Sequence, residues 1–193
     1  MRTQGGFAVL ALAGMLSMRM PAHAACTPTN PDIAVHGIEL GDPLSTVLQL
    51  GSDYQVAEDE SGTDTAAFTN TTETEILLLH RLFGDKADVF ESAEVLPAED
   101  LDADVEATVL DTPLFRTGRG VRLGMTRKDV LDRFGACAAA PSDAGDGTEV
   151  IRYEVADATA SDFLKAHNMP SYAAEYTFKG DRLVRFGFGF SYP

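Results

Sequence analysis

The sequence has no tryptophan and only two cysteines, Cys26 and Cys137, in 193 residues. So few cysteines exclude a small scaffold held by many disulfides, and their wide separation excludes a Cys-x-x-Cys redox motif. Basic residues are scarce: 15 Lys and Arg stand against 30 Asp and Glu, a formal net charge of −15. That balance argues against binding to nucleic acid or to an anionic membrane and suits solubility or a basic partner. The sequence holds one long apolar run, Phe7 to Met18, which is too short to cross a bilayer.

Catalytic signatures are missing too. There is no Gly-x-Ser-x-Gly elbow and no phosphate-cradling glycine loop with a lysine. Gly118-Arg119-Gly120 lacks a glycine at 123, so it reads as a turn and not as a dinucleotide fingerprint. His36, His80 and His167 show no i, i+4 metal spacing. The stretch Asp143–Glu149 lacks the alternating oxygen ligands of a calcium loop and reads as a hairpin loop beside Pro141. The expectation is no metal, no cofactor and no enzyme activity.

What is present begins at the N-terminus. Arg2 supplies a positive region, Phe7–Met18 an apolar one, and Ala22-His23-Ala24 the small residues at the two positions a signal peptidase reads. Residues 1–24 therefore read as a cleavable export signal with Ala25 as the first mature residue, and the mature chain is expected in the periplasm or outside the cell. Two readings of Cys26 then exclude each other. In one, Cys26 and Cys137 form a disulfide in an oxidising compartment. In the other, Cys26 carries a lipid and the chain is anchored to a membrane without spanning it.

The body of the chain repeats itself. Gly37-Ile38-Glu39-Leu40-Gly41 returns as Gly120-Val121-Arg122-Leu123-Gly124. Each copy leads into a short helix. In the first, Asp42 is the expected N-cap, Pro43 the first helical residue, Leu44, Val47 and Leu48 the apolar stripe, and Gly51 the stop. In the second, Thr126 caps with Asp129 three residues on, Val130, Leu131 and Phe134 form the stripe, and Gly135 stops it. Strand patterns follow over 65–69, 75–83 and 86–95, and again over 149–155, 172–179 and 182–192. The last two strands of each copy flank a matching turn, Gly84-Asp85-Lys86 and Gly180-Asp181-Arg182. An extra helix is expected over Ser161–Asn168.

The expected fold is α+β: two tandem repeats, each a short helical element followed by an antiparallel β-meander. The first covers 25–95 and the second 118–193, with an acidic linker over 96–117. Period-2 alternation puts Tyr172, Ala174, Tyr176 and Phe178 on one face and Glu175, Thr177 and Lys179 on the other. On the last strand Phe186, Phe188, Phe190 and Tyr192 oppose Arg185, Gly187, Gly189 and Ser191. The aromatic face either covers the helices or is an exposed binding surface.

Gly124-Met125-Thr126-Arg127 with Val130-Leu131, Gly135 and Cys137, and the hairpin Tyr176–Leu183, resemble the beta-lactamase inhibitory protein family. The Gly-Met-Thr helix element is also shared with small outer-membrane assembly lipoproteins, so it marks a fold more than a function. The inhibitors carry a disulfide within each repeat, whereas this chain has two cysteines in all. The resemblance implies a partner on the outer, helix-free sheet face, where this chain has Glu175, Thr177, Gly187 and Gly189, flanked by Lys179 and Arg185. It also implies an inserted first-repeat loop, here Asn70-Thr71-Thr72-Glu73. The resulting expectation is an exported protein-binding module of inhibitor or immunity type. The alternatives are an outer-membrane lipoprotein that assists envelope assembly and a small envelope hydrolase.

Overall fold

A computed structural model describes residues 31–51, 54–58, 63–82, 89–102, 105–134, 142–145 and 147–191. Cys26, Cys137, Gly135, Tyr192 and the Gly84-Asp85-Lys86 turn lie outside the described residues. The fold is α+β with a dominant sheet. A two-stranded hairpin, β1 (Ala34–Val35) and β2 (Ile38–Glu39), leads into α1 (Pro43–Leu50). Then come β3 (Ala57–Glu58), β4 (Thr63–Thr69), β5 (Glu75–Leu82) and β6 (Ser92–Pro97). A 3-10 turn at Ala98–Asp100 and β7 (Thr108–Val109) precede α2 (Arg127–Phe134). β8 (Ser142–Gly145), β9 (Thr148–Val155), α3 (Asp162–His167), β10 (Ser171–Lys179) and β11 (Arg182–Ser191) complete the described chain.

The main sheet runs β3-β4-β5-β6-β11-β10-β9-β8, with β7 parallel to β4 at its edge. The order mirrors about its centre: β6 and β11, the last strands of their halves, pair antiparallel and make one sheet of both. The segment expected as a linker, 96–117, begins inside β6 and contributes β7 to the sheet.

The helices form for local reasons. The Asp42 carboxylate accepts from the N–H groups of Leu44 at 3.0 Å and Ser45 at 3.3 Å, so α1 starts where its proline permits. Thr126 accepts the Asp129 N–H at 3.2 Å and donates to the Asp129 carboxylate at 2.7 Å, which starts α2. α3 is capped by Ser161 and ends at Asn168 in the left-handed region. Before α1 and α2 stand two matching turns. Gly41 (φ 80°) donates its N–H to Phe90 O at 2.9 Å, and Gly124 (φ 78°) donates to Leu183 O at 2.8 Å. Each needs the left-handed backbone that glycine adopts freely.

One sheet face is the core. Leu77, Leu79, Val95, Tyr153, Tyr172, Tyr176, Phe178, Phe186 and Phe188 are buried against Ile38, Leu40, Val121, Met125, Val130, Phe134 and Leu164. The aromatics of β10 and β11 therefore face inward. α1 departs from expectation. Its apolar stripe faces solvent, with Leu44 65% and Leu48 72% exposed, and the residue it buries is Thr46. Hydrogen bonds orient it: Ser45 Oγ accepts from the Glu39 N–H at 2.8 Å and donates to Asp42 O at 2.9 Å, and Thr46 Oγ1 donates to Asp42 O at 3.3 Å. The bond to Glu39 holds the Ser45 side of α1 against the preceding turn, while the two bonds to Asp42 close the cap, and Leu44 and Leu48 lie on the exposed side. Among the described residues no helix is long and apolar enough to cross a membrane.

Candidate functional site

The face of the sheet opposite the core has two unlike halves. Over β6, β11, β10 and β9 it is open. Register places Ser92 opposite Gly189 opposite Ala173, and Glu94 opposite Gly187 opposite Glu175 opposite Arg152. The two glycines bring backbone to the surface and floor a shallow depression of about 430 Å³. Charged side chains border it. Arg185 pairs with Glu94, Arg152 pairs with Glu175, and Arg152 also lies 3.5 Å from Glu154. The Glu94 carboxylate beside Arg185 raises the guanidinium pKa. Arg152, Glu154, Glu175 and Arg185 are about half exposed and Glu94 is partly buried, so solvent screens these pairs and they stabilise the fold little. They set alternating charge at fixed spacing along the open face.

The eight residues singled out from sequence divide into groups. Glu175, Thr177 and Arg185 meet at the depression. Lys179 is exposed at the end of β10, beside the two-residue turn Gly180-Asp181, and does not line it. Thr71, Thr72 and Glu73 are exposed in the β4–β5 turn, with Glu73 at φ 54°. Pairing of Glu75 with Pro97, and of Lys179 with both Arg182 and Thr148, puts that turn at the same end of the sheet as the β10–β11 and β8–β9 turns.

Asn70 is different. It is 1% exposed, and its amide donates to Pro113 O at 2.8 Å, Thr72 Oγ1 at 3.1 Å and Thr74 Oγ1 at 3.1 Å. Its oxygen accepts the N–H groups of Thr74 at 2.8 Å and Glu75 at 3.1 Å. Asn70 shapes the turn from inside and cannot touch a partner.

Glu94, Arg152 and Ser92 were not singled out. Alternation would have found them: Glu94 lies between buried Ala93 and Val95, and Arg152 between buried Ile151 and Tyr153.

A second hollow, about 400 Å³, lies between the Glu39–Pro43 turn and α3. Glu39, Asp42, Glu91 and His167 are on its walls. Among the described residues no serine, threonine or cysteine lines it. The His167 ring packs against Phe163 and Phe190.

Inside the fold, Asp32 gathers donors. The Arg119 N–H donates to it at 2.9 Å and the Tyr176 hydroxyl at 3.3 Å, while the Tyr172 hydroxyl donates to the Asp32 carbonyl. Burial pushes the Asp32 carboxyl up, against the pull of Arg119, Thr117 and Tyr176. Burial also pushes Tyr172 and Tyr176 well above the ordinary phenol value, with the nearby Asp32 charge adding to it. The cluster ties the segment before β1 to the middle of β10. Among the described residues no group of three or more histidines, cysteines or carboxylates could hold a metal ion.

Comparison of the chain with protein-family models, with curated proteins and with solved structures gives no match.

Proposed function

We propose that this chain is an exported, non-enzymatic protein-binding module, built as two tandem αβ repeats, that takes its partner on the open half of the sheet. The carrying observation is the glycine-floored depression bordered by the alternating charges Glu94, Arg185, Glu175 and Arg152. A flat backbone floor with fixed charges at its edges suits a protruding element of another protein, and charge complementarity would set register and specificity. The exposed Thr71–Glu73 turn and Lys179 sit at one end of that face and would extend the contact. The mirrored strand order and the matched Gly41 and Gly124 turns support the tandem-repeat reading. The resemblance to the beta-lactamase inhibitory proteins supports a role as an inhibitor or immunity-type protein. The Ala22-His23-Ala24 site supports release into the periplasm or medium.

The test is capture of a partner from envelope extracts by the immobilised mature protein, compared with Arg152→Glu/Arg185→Glu. The proposal expects wild type to retain a partner at micromolar concentration and the variant to lose it, with unfolding midpoints alike. Equal capture by both, or none by either, overturns it. Assay of a beta-lactamase with and without the protein tests the inhibitor reading directly. The mass of the mature N-terminus separates the lipoprotein alternative: an acylated Cys26 supports it, and a free Ala25 with a Cys26–Cys137 disulfide opposes it. The hydrolase reading has one observation in its favour, the hollow that joins His167 to Glu39, Asp42 and Glu91. Hydrolysis of ester or glycoside substrates that is abolished by His167→Ala would support it.

A further inference from the structure

The other half of the outer face is roofed. After β6 the chain turns at Ala98–Asp100, Leu101, Asp102, Val105 and Glu106 lie over the sheet opposite Ala67 and Leu78, and β7 pairs with the edge of β4. The roof is tied down at both ends: the Ala98 N–H donates to Thr74 O at 3.0 Å, and the Leu110 N–H donates to Thr69 O at 2.8 Å. Between roof and sheet lies a hollow of about 680 Å³, larger than the two described above. Small-ligand sites fall between roughly 300 and 1,000 Å³.

The lining of the hollow is divided by chemistry. Its sheet side carries Ala67, Leu78 and Leu96, and its roof side Leu101 and Val105. Strand positions commonly bear branched or aromatic residues, but here β3 and β4 offer Ala57 and Ala67, with the small Thr65 as the one branched residue they bring to the lining. Those short side chains leave space that Leu101 and Val105 do not fill. The rim is acidic. Asp100, Asp102 and Glu106 all line it and all are exposed. Of the basic groups at the hollow, Arg185 is paired to Glu94, and Nδ1 of His80 lies 2.9 Å from Thr65 Oγ1 within a hydrogen bond. An apolar floor under a carboxylate rim is complementary to one kind of ligand.

We propose that the hollow binds a small organic cation with an apolar body, an alkyl or aryl amine whose hydrocarbon portion displaces water from the floor while its ammonium group lies among the rim carboxylates. An anion of the same size and apolarity meets the same floor but is repelled at the rim. The attraction reaches about 8 Å at physiological ionic strength, so added salt weakens it. The site lies on the opposite half of the sheet from the protein-docking depression, sharing only its border residues His80 and Arg185. The two proposals can therefore fail separately.

The experiment is calorimetric titration of octylammonium and of octanoate into the purified protein at low and at raised salt. Octylammonium is expected to bind saturably and at least about tenfold more tightly than octanoate, a difference of about 1.4 kcal/mol, with the margin narrowing in salt. Asp100→Asn/Asp102→Asn/Glu106→Gln alters only exposed side chains. It is expected to bring the two affinities together with the unfolding midpoint unchanged. Ala67→Phe fills the floor and is expected to abolish binding of both, while Arg152→Glu, outside the hollow, is expected to leave octylammonium binding intact. Equal affinity for amine and carboxylate in wild type, undiminished amine affinity in the triple variant, or no saturable amine binding at millimolar concentration overturns the proposal.

Discussion

Gly189 on β11 faces Ser92 on β6 so closely that no side chain fits between them. A β-carbon at 189 would lie 2.8 Å from Ser92 Cα and 2.9 Å from Glu91 O, and nearer still to Ser92 Cβ. The approach falls where β6 and β11 join the two halves into one sheet. The obstacle is largely backbone, which cannot swing aside as the end of a long side chain can. Gly189→Ala is therefore expected to lower stability by about 1–3 kcal/mol, the range for forcing extra atoms into a packed site. Gly187→Ala, whose β-carbon would lie 3.3 Å from Ala93 O, is expected to cost less. Urea unfolding of the two variants checks the order.

Asp32 gives a pH dependence whose sign follows from burial. Its carboxyl is pushed up, so the folded chain holds that proton more tightly than the unfolded chain. Its contribution to stability is complete below the ordinary carboxylate value near pH 4 and is lost as pH rises through the raised value. Asp32→Asn removes this dependence. The stability of the variant relative to wild type is expected to increase as pH is raised from about 4 to 7. Glu75, also pushed up by burial, and His36, pushed down by burial, remain in both proteins and cancel in the difference. Unfolding midpoints across that range check the prediction, and parallel curves would sink it.

The β4–β5 turn separates shape from contact. Asn70→Ala leaves the N–H groups of Thr74 and Glu75 without their side-chain acceptor and is expected to cost about 1–3 kcal/mol. Glu73→Ala removes only an exposed carboxylate and is expected to leave thermal unfolding within experimental error. Any effect of Glu73→Ala on partner capture then reports contact, whereas an effect of Asn70→Ala reports loss of the turn.

Helices α1 and α2 are expected to respond unequally to loss of an apolar side chain. Phe134 in α2 is buried against Tyr153 and Tyr176, with ring centroids at 4.9 and 5.0 Å, and Phe134→Ala should cost about 3–5 kcal/mol. Leu48 in α1 is 72% exposed, and Leu48→Gln should change stability by less than about 0.5 kcal/mol. A large loss from Leu48→Gln would show that its stripe is covered in solution.

Much of the local structure was legible because it is set by short-range chemistry. The Asp42 and Thr126 caps, the Gly180-Asp181 turn and the inward aromatics of β10 and β11 all follow from residues a few positions apart. Legibility failed where several weak local signals competed. Leu44, Val47 and Leu48 form a regular stripe, but α1 buries Thr46 instead, with Ser45 bonded to the Glu39 N–H of the preceding turn. In the candidate site, alternation separated the outer residues of β10 and β11 from the core. It did not reveal that Asn70 is buried, because Pro113 reaches its amide only after the chain returns past β7.

By itself, the sequence determined the helices, the strand alternation, the acidic balance and which faces of β10 and β11 are apolar. Each of these depends on residue type and on spacing within a few positions. Only the tertiary structure decided that β6 meets β11 through Gly189, that Glu94 comes to lie beside Arg185, and that the acidic segment after β6 roofs a hollow over β4 and β5. The physical reason is range. Those relationships join residues dozens of positions apart, and register between distant strands is set by how both halves bury their shared core, not by any pattern within either strand.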